Sequence, residues 1–149
     1  MEGALQGVPT IAIYQYYGPT IITLETPLEA ALFHLAPLIK NIFESGPWAG
    51  SNYYTFYNIN VPPTPSNDVK GIKVVSQGLR KTKFGVEPSV APNGRNFLWI
   101  KGNRQDVPTA ENTDVHANLN GYISVTPMDC DLTRYDLLND LKKKLECNN

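Results

Sequence analysis

A chain of 149 residues, of which 42% are hydrophobic and 18% charged, is long enough to bury a core and too apolar to be disordered. The net charge of −1 gives no electrostatic reason to expect nucleic-acid binding. The two cysteines fit neither a zinc site nor a disulfide framework, and no apolar run approaches the about 20 residues that a membrane helix needs. We therefore expect one domain over residues 1–149 in the reducing cytoplasm, with neither nucleic-acid nor membrane partners.

The chain opens on the pattern of a helix end followed by a strand. Residues 2–6 fit the last turn of a helix that stops at Gly7. The short apolar run over residues 10–14 is typical of a strand covered on both faces.

A long helix is predicted next, with Thr26 as its cap, Pro27 at its first position and Glu29 completing a capping box. Pro37 should kink or divide this helix, because its ring excludes the backbone hydrogen bond to residue 33. The apolar stripe at helical spacing comprises Leu28, Leu32, Leu35, Leu38, Ile39 and Ile42.

The middle of the chain is rich in strand-forming residues. Residues 52–61 predict a strand with Asn58 and Asn60 on the face of Phe56. Two further strands are predicted at 72–76 and 97–102.

The turn signal Pro92–Arg95 and the absence of helical periodicity over residues 79–95 favour a long hairpin arm there. Such an arm cannot bury its apolar residues Phe84, Val86 and Val90 by itself.

The C-terminal part predicts a short helix, a buried strand and a final helix. Thr113 should cap a helix that ends at Gly121, and the strand that follows should stop at Pro127. Thr133 and Asp136 form a second capping box. The apolar stripe of the final helix consists of Leu137, Leu138, Leu141 and Leu145.

Five segments in one order resemble the SurE family of metal-dependent 5′/3′-nucleotidases, also called stationary-phase survival proteins. Each segment is weak alone, but together they cover nearly the whole chain. One departure is Asn112, which stands where the family commonly has glycine. The segments are 2–13, 58–62, 71–74, 96–102 and 113–127, the last followed by Asp131-Leu132-Thr133.

The resemblance implies an α/β fold, with a mixed sheet flanked by helices and an extended β-hairpin arm for oligomerisation. It implies a homo-oligomer, dimer or tetramer, with swapped C-terminal elements. The intact enzyme would bind Mg²⁺ or Mn²⁺ and hydrolyse nucleoside 5′/3′-monophosphates. An alternative interpretation is a stand-alone assembly or binding domain without catalysis.

The resemblance also implies that this chain is the C-terminal half of such a protein, without its metal-binding part. The family's metal ligands are an Asp-Asp pair, a serine and an asparagine, all upstream of the segment that begins at Glu2. No position here matches them, so no catalytic, cofactor-binding or metal residue is assigned. We expect this chain to bind no metal and to be inactive alone.

Other residues that could carry chemistry have simpler structural interpretations. Asp129 and Asp131 could bind a cation, but turn and helix N-terminal roles are favoured. For Asp114, stabilisation of a first helical turn is favoured over substrate contact. His34 and His116 lack partners at ligand spacing.

The remaining candidates are serines, aromatic residues and lysines. Ser51, Ser76 and Ser124 lack the histidine and acid pattern of a nucleophile. Trp99 and Tyr54 could stack on a base, although core or cross-strand roles are favoured. A basic run could face phosphate, but a solvated strand end or loop is favoured; it consists of Arg80, Lys81 and Lys83.

Overall fold

Helices and strands alternate along the chain, as the predicted α/β class requires. The computed structural model describes residues 1–15, 28–49, 54–79, 85–101 and 107–146. The elements are α1 (Glu2–Leu5), β1 (Thr10–Gln15), α2 (Glu29–Ser45), β2 (Phe56–Val61), a 3₁₀ turn (Ser66–Asp68), β3 (Ile72–Val74), β4 (Gly85–Val90), β5 (Asn96–Lys101), α3 (Asp114–Leu119), β6 (Ile123–Met128) and α4 (Tyr135–Leu145).

Four strands form one sheet in the order β1-β2-β6-β3. Strands β3 and β6 are parallel, with Lys73 beside Ser124 and Val74 beside Val125. Strands β4 and β5 form a separate antiparallel hairpin. The predicted strands are therefore confirmed within the described residues. The hairpin differs from the expected arm over residues 79–95, because its second strand is the strand predicted at 97–102; Phe84 lies outside the described residues.

The chain divides into two compact units. The described parts of residues 1–10, 47–56 and 128–149 form the first unit, and those of residues 11–46 and 57–127 form the second.

The first unit has a small apolar core. It consists of Ala4, Phe56 and Cys130, with Met128 packed against it. Gly7 follows α1 with a φ of 74°, in the left-handed region that a glycine stop requires, so that prediction is confirmed.

The last helix belongs to this unit and begins later than predicted. Arg134 is its N-cap residue, and no side chain makes a cap hydrogen bond, so the expected capping box is wrong. The reason is that the Thr133 backbone N–H is bound to the Asp131 carboxylate at 2.9 Å. The predicted leucine stripe is exposed, with fractions of 43%, 37%, 50% and 74% for Leu137, Leu138, Leu141 and Leu145.

Helix α2 of the second unit runs unbroken through Pro37, so the expected division is wrong. Proline removes only one backbone bond, and the other bonds of this 17-residue helix remain. Its buried residues are Ala30, Leu38 and Ile42. Leu32 is 80% exposed, so the predicted stripe faces the interior only in part. The expected cap, Thr26 with Pro27, lies outside the described residues.

Two strand predictions need correction. Ile13 and Tyr14 are 46% and 43% exposed, so β1 is not covered on both faces; it lies at an edge of the sheet order. Strand β6 continues through Pro127 to Met128. Its register with β3 ends at Val125, so the missing N–H of Pro127 costs no hydrogen bond to that neighbour.

Candidate functional site

The Asp-x-Asp motif is a turn. Asp131 donates its backbone N–H to the Asp129 carboxylate at 3.1 Å, and Thr133 does the same to Asp131 at 2.9 Å. Hydrogen bonds from the Thr133 hydroxyl, the Tyr135 hydroxyl and the Thr133 backbone lower the pKa of Asp131. These contacts confirm the turn interpretation of the motif.

The two histidines make structural contacts. His34 places Nε2 3.0 Å from the Ser66 carbonyl oxygen and lies edge-on to the Phe33 ring, with a centroid distance of 5.0 Å. His116 lies in α3, where its carbonyl oxygen accepts a hydrogen bond from the Asn120 side chain at 2.8 Å.

The serine and aromatic candidates are also placed by the fold. Ser76 donates its hydroxyl to the Asn112 carbonyl at 3.3 Å, and Ser124 is fully buried. Trp99 lies opposite Glu87 in the hairpin and is 60% exposed, so a cross-strand role is confirmed and a core role is wrong. Tyr54 is 44% exposed. Ser51, Arg80, Lys81 and Lys83 lie outside the described residues.

A divalent cation does not fit the described part of the chain. Within it, no group of three or more histidine, cysteine, aspartate or glutamate side chains is placed to share an ion. Hard cations need several such oxygen ligands at one point. We therefore derive no chemical step through a metal from these residues.

What the described structure does show is a row of polar side chains on the two inner strands of the sheet. We call it the polar row; its members are Asn58 and Asn60 of β2 with Ser124 and Thr126 of β6. Alternate residues of a strand share a face, and the Asn60 amide lies 3.4 Å from the Ser124 hydroxyl, so the members face one side. The opposite face carries the apolar residues Tyr57, Ile59, Val61, Ile123 and Val125.

Inner strands of an α/β sheet are ordinarily apolar, because burying polar groups is costly. Ser124 and Thr126 are 0% and 4% exposed, and within the described ranges the Thr126 hydroxyl has no hydrogen-bond partner. Asn58 and Asn60 are half-buried, so the part of the row on β2 is accessible to solvent. A departure from the apolar pattern at this point marks a candidate functional surface.

Asn118 of helix α3 binds the backbone beside this row. Its side-chain amide donates to the Asn60 carbonyl at 2.8 Å and to the Tyr122 carbonyl at 3.1 Å, and it is buried. Sequence reasoning did not predict the contact of Asn118 with β2. Its position one turn after the buried Asp114, on the same helix face, was the available signal.

The second polar cluster of this unit lies where the hairpin arm joins the sheet. We call it the neck and define it as residues 76–78 and 109–114. Asp114 accepts the backbone N–H groups of Gly78 at 2.8 Å and Val115 at 2.7 Å. First-turn stabilisation by Asp114 is thereby confirmed, because Val115 is in the first turn of α3.

Further hydrogen bonds join the two segments of the neck. Ser76 donates its N–H to Asn112 at 3.2 Å, and Asp114 donates its N–H to Ser76 at 2.9 Å. Thr113 is the residue before α3, as predicted, but its hydroxyl donates to the Ala110 carbonyl at 2.6 Å and makes no cap bond. Thr109 therefore donates to Thr113, at 2.7 Å.

Aliphatic residues line one face of the hairpin. Residues directly opposite in an antiparallel pair share a face, and Val86 is opposite Ile100 while Pro88 is opposite Leu98. Val86, Leu98 and Ile100 are 58%, 66% and 73% exposed. We call this surface, with Val90, the arm face.

The described structure is an α/β fold with a parallel strand pair at the sheet edge, a separate hairpin and polar side chains on one face of the inner strands. Known proteins share this combination. Residues 1–84 match the family model described as Survival protein SurE. The chain is 50% identical over 149 residues to 5′-nucleotidase SurE of Jannaschia sp. (strain CCS1), and 48% identical over 143 residues to 5′-nucleotidase SurE of Cereibacter sphaeroides (strain ATCC 17025 / ATH 2.4.3). The chain belongs to the SurE family.

These relatives are longer than this chain. The two alignments cover 98% and 95% of this chain but 57% and 55% of the relatives. The crystal structure of the SurE protein from Aquifex aeolicus matches with a TM-score of 0.61 and 29% identity, over 96% of this chain and 56% of that one. This match confirms the α/β class with a mixed sheet flanked by helices.

Proposed function

We propose that this chain is part of a nucleotidase that hydrolyses nucleoside 5′/3′-monophosphates to nucleosides and phosphate. The observation that carries the proposal is the 50% identity, over 98% of the chain, to a protein named 5′-nucleotidase SurE. The polypeptide acts in the cytoplasm, in keeping with the cysteine content. Within the described ranges, no helix combines the length and the apolar character that a membrane crossing requires.

These residues supply the scaffold of the enzyme and one wall of its substrate pocket. The described part of the chain supplies no cluster of metal ligands, so a divalent ion such as Mg²⁺ or Mn²⁺ would be held by other residues. The half-buried asparagines of the polar row, Asn58 and Asn60, form one wall of the substrate pocket. Their amides can both donate and accept hydrogen bonds, which suits the hydroxyl groups of a sugar.

A complementation assay tests this proposal. The purified chain should release no phosphate from nucleoside monophosphates in the presence of Mn²⁺. Fusion to the segment of the Jannaschia relative that this chain does not cover should restore phosphate release. Turnover by the chain alone would contradict the division of labour, and an inactive but folded fusion would favour the non-catalytic assembly domain.

We also propose that the arm face joins copies of this chain into a homo-oligomer, a dimer or tetramer. An apolar surface of this kind is costly to leave in water, and Val86, Leu98 and Ile100 are all more than half exposed. The exposed stripe of α4 supports a second contact, by exchange of C-terminal elements between copies.

A further inference from the structure

We propose that Asp114 is a positioning residue for the hairpin arm: its buried carboxylate fixes the direction in which the arm leaves the sheet. Only the consequence for association rests on the function proposed above. The claim about direction rests on the neck alone.

The chain segments that precede and follow the arm meet at this carboxylate. Gly78 lies 7 residues before Gly85, the first residue of β4, and Asp114 lies 13 residues after Lys101, the last residue of β5. The hydrogen bond from Gly78 to Asp114 joins these segments at 2.8 Å. A bridge between Ser76 and Thr113 lies directly beside it.

The position of the carboxylate is itself well determined. Asp114 is 8% exposed, and its Oδ1 also accepts the Val115 N–H, which ties the carboxylate to α3. Hydrogen bonds from backbone N–H groups to an ionised carboxylate are among the stronger ones in proteins. Asn118, one turn later, ties the same helix to β2. The arm is thus connected through Asp114 to a helix that is anchored on the sheet.

Glycine suits position 78 because a larger residue would crowd the Asp114 carboxylate. A Cβ atom at position 78 would lie 3.0 Å from the Asp114 carboxylate and 3.2 Å from the Thr113 Cβ. The close approach of the backbone to Asp114 therefore favours glycine, because a Cβ atom would force its neighbours to move by a few tenths of an ångström. Among the described residues, loss of the carboxylate would leave the segment that leads into the arm held by the Ser76 bonds.

Distances between spin labels measure the direction of the arm. One label replaces Asn93 at the tip of the hairpin and the other replaces Asn41 on helix α2; both positions are exposed and lie in the same unit. Genetically encoded labels leave the cysteines intact. An excess of unlabelled chain removes distances between copies, so the measurement does not depend on association.

Asp114→Ala should at least double the width of the distance distribution and should accelerate hydrogen exchange of the Gly78 amide at least tenfold. Asp114→Asn, which keeps an acceptor oxygen, should restore most of the wild-type width. Ile59→Val is the matched control, because it loosens the buried core of the same unit without touching the neck.

A wild-type width in Asp114→Ala would overturn the proposal, as would equal broadening in Ile59→Val. If Asp114→Ala does not fold, Gly78→Ala decides, because its Cβ crowds the same contact. An unchanged width there would overturn the proposal. A wild-type chain that remains monomeric would remove the association function and leave the positioning claim standing.

Discussion

Asn112 and Gly121 bracket helix α3, and both have left-handed backbones, with φ values of 60° and 85°. Glycine adopts this conformation without cost, whereas a side chain with a Cβ is strained there. Asn112 occupies the position where the resemblance implied glycine. The departure is therefore conservative in backbone terms, because asparagine tolerates the left-handed region best among the other residues.

Replacement of Asn112 should reveal this conformational requirement. Asn112→Gly should leave the free energy of unfolding unchanged or raise it slightly, whereas Asn112→Ala should lower it by about 1 kcal/mol. Urea unfolding followed by circular dichroism measures both. Equal stability of the two variants would show that the left-handed backbone is not retained in solution.

Asn118→Ala should destabilise the second unit by about 1–3 kcal/mol, because it leaves the carbonyl groups of Asn60 and Tyr122 without their side-chain donor. Asn120→Ala is the control, since Asn120 is exposed and makes one contact within its own helix. Its effect should stay within about 0.5 kcal/mol. Similar losses in both variants would contradict the anchoring of α3 on β2.

Ile100→Asp places a charge on the arm face and should raise the dissociation constant of the oligomer at least tenfold, which corresponds to about 1.4 kcal/mol. Trp99→Ser is the matched control, because Trp99 points to the opposite face of the hairpin. Sedimentation velocity over a concentration series measures both. Dissociation of the oligomer by the Trp99 variant alone would place the contact on the opposite face of the hairpin and contradict the arm face as the interface.

Asp131 provides a prediction about pH. Hydrogen bonds from Thr133 and Tyr135 lower its pKa in the folded chain. Its contribution to stability is therefore present above the unfolded pKa, about 3.9, and is lost as the pH falls through the lower folded value. Carboxyl NMR titration should show the Asp131 midpoint rising in Tyr135→Phe. An unmoved midpoint would exclude the tyrosine contact.

Local patterns predicted several features correctly. Gly7 and Gly121 end their helices because of backbone conformation, and Tyr57, Ile59 and Val61 alternate with polar neighbours on β2. The hairpin follows from its turn residues, since Gly94 has a φ of 80° and Asn93 accepts the Arg95 N–H. Such features depend on residues close together in the sequence.

Features that depend on distant residues could not be predicted in this way. The Asp114–Gly78 contact spans 36 positions and the Asn118–Asn60 contact spans 58. Helical spacing identified the apolar stripe of α2, but packing decided that Leu38 is buried while Leu32 is exposed. The capping box of α4 failed because Asp131 competes for the Thr133 N–H.

We propose that this chain provides scaffold, one pocket wall and association surfaces, while other residues hold the ion used in catalysis. Titration of Mn²⁺ into the purified chain, followed by calorimetry, tests it most directly. We predict no saturable binding by the chain alone and stoichiometric binding by the fusion with the complementary segment of the relative. One tightly bound ion on the chain alone, lost in Asp129→Asn or Asp131→Asn, would contradict the claim.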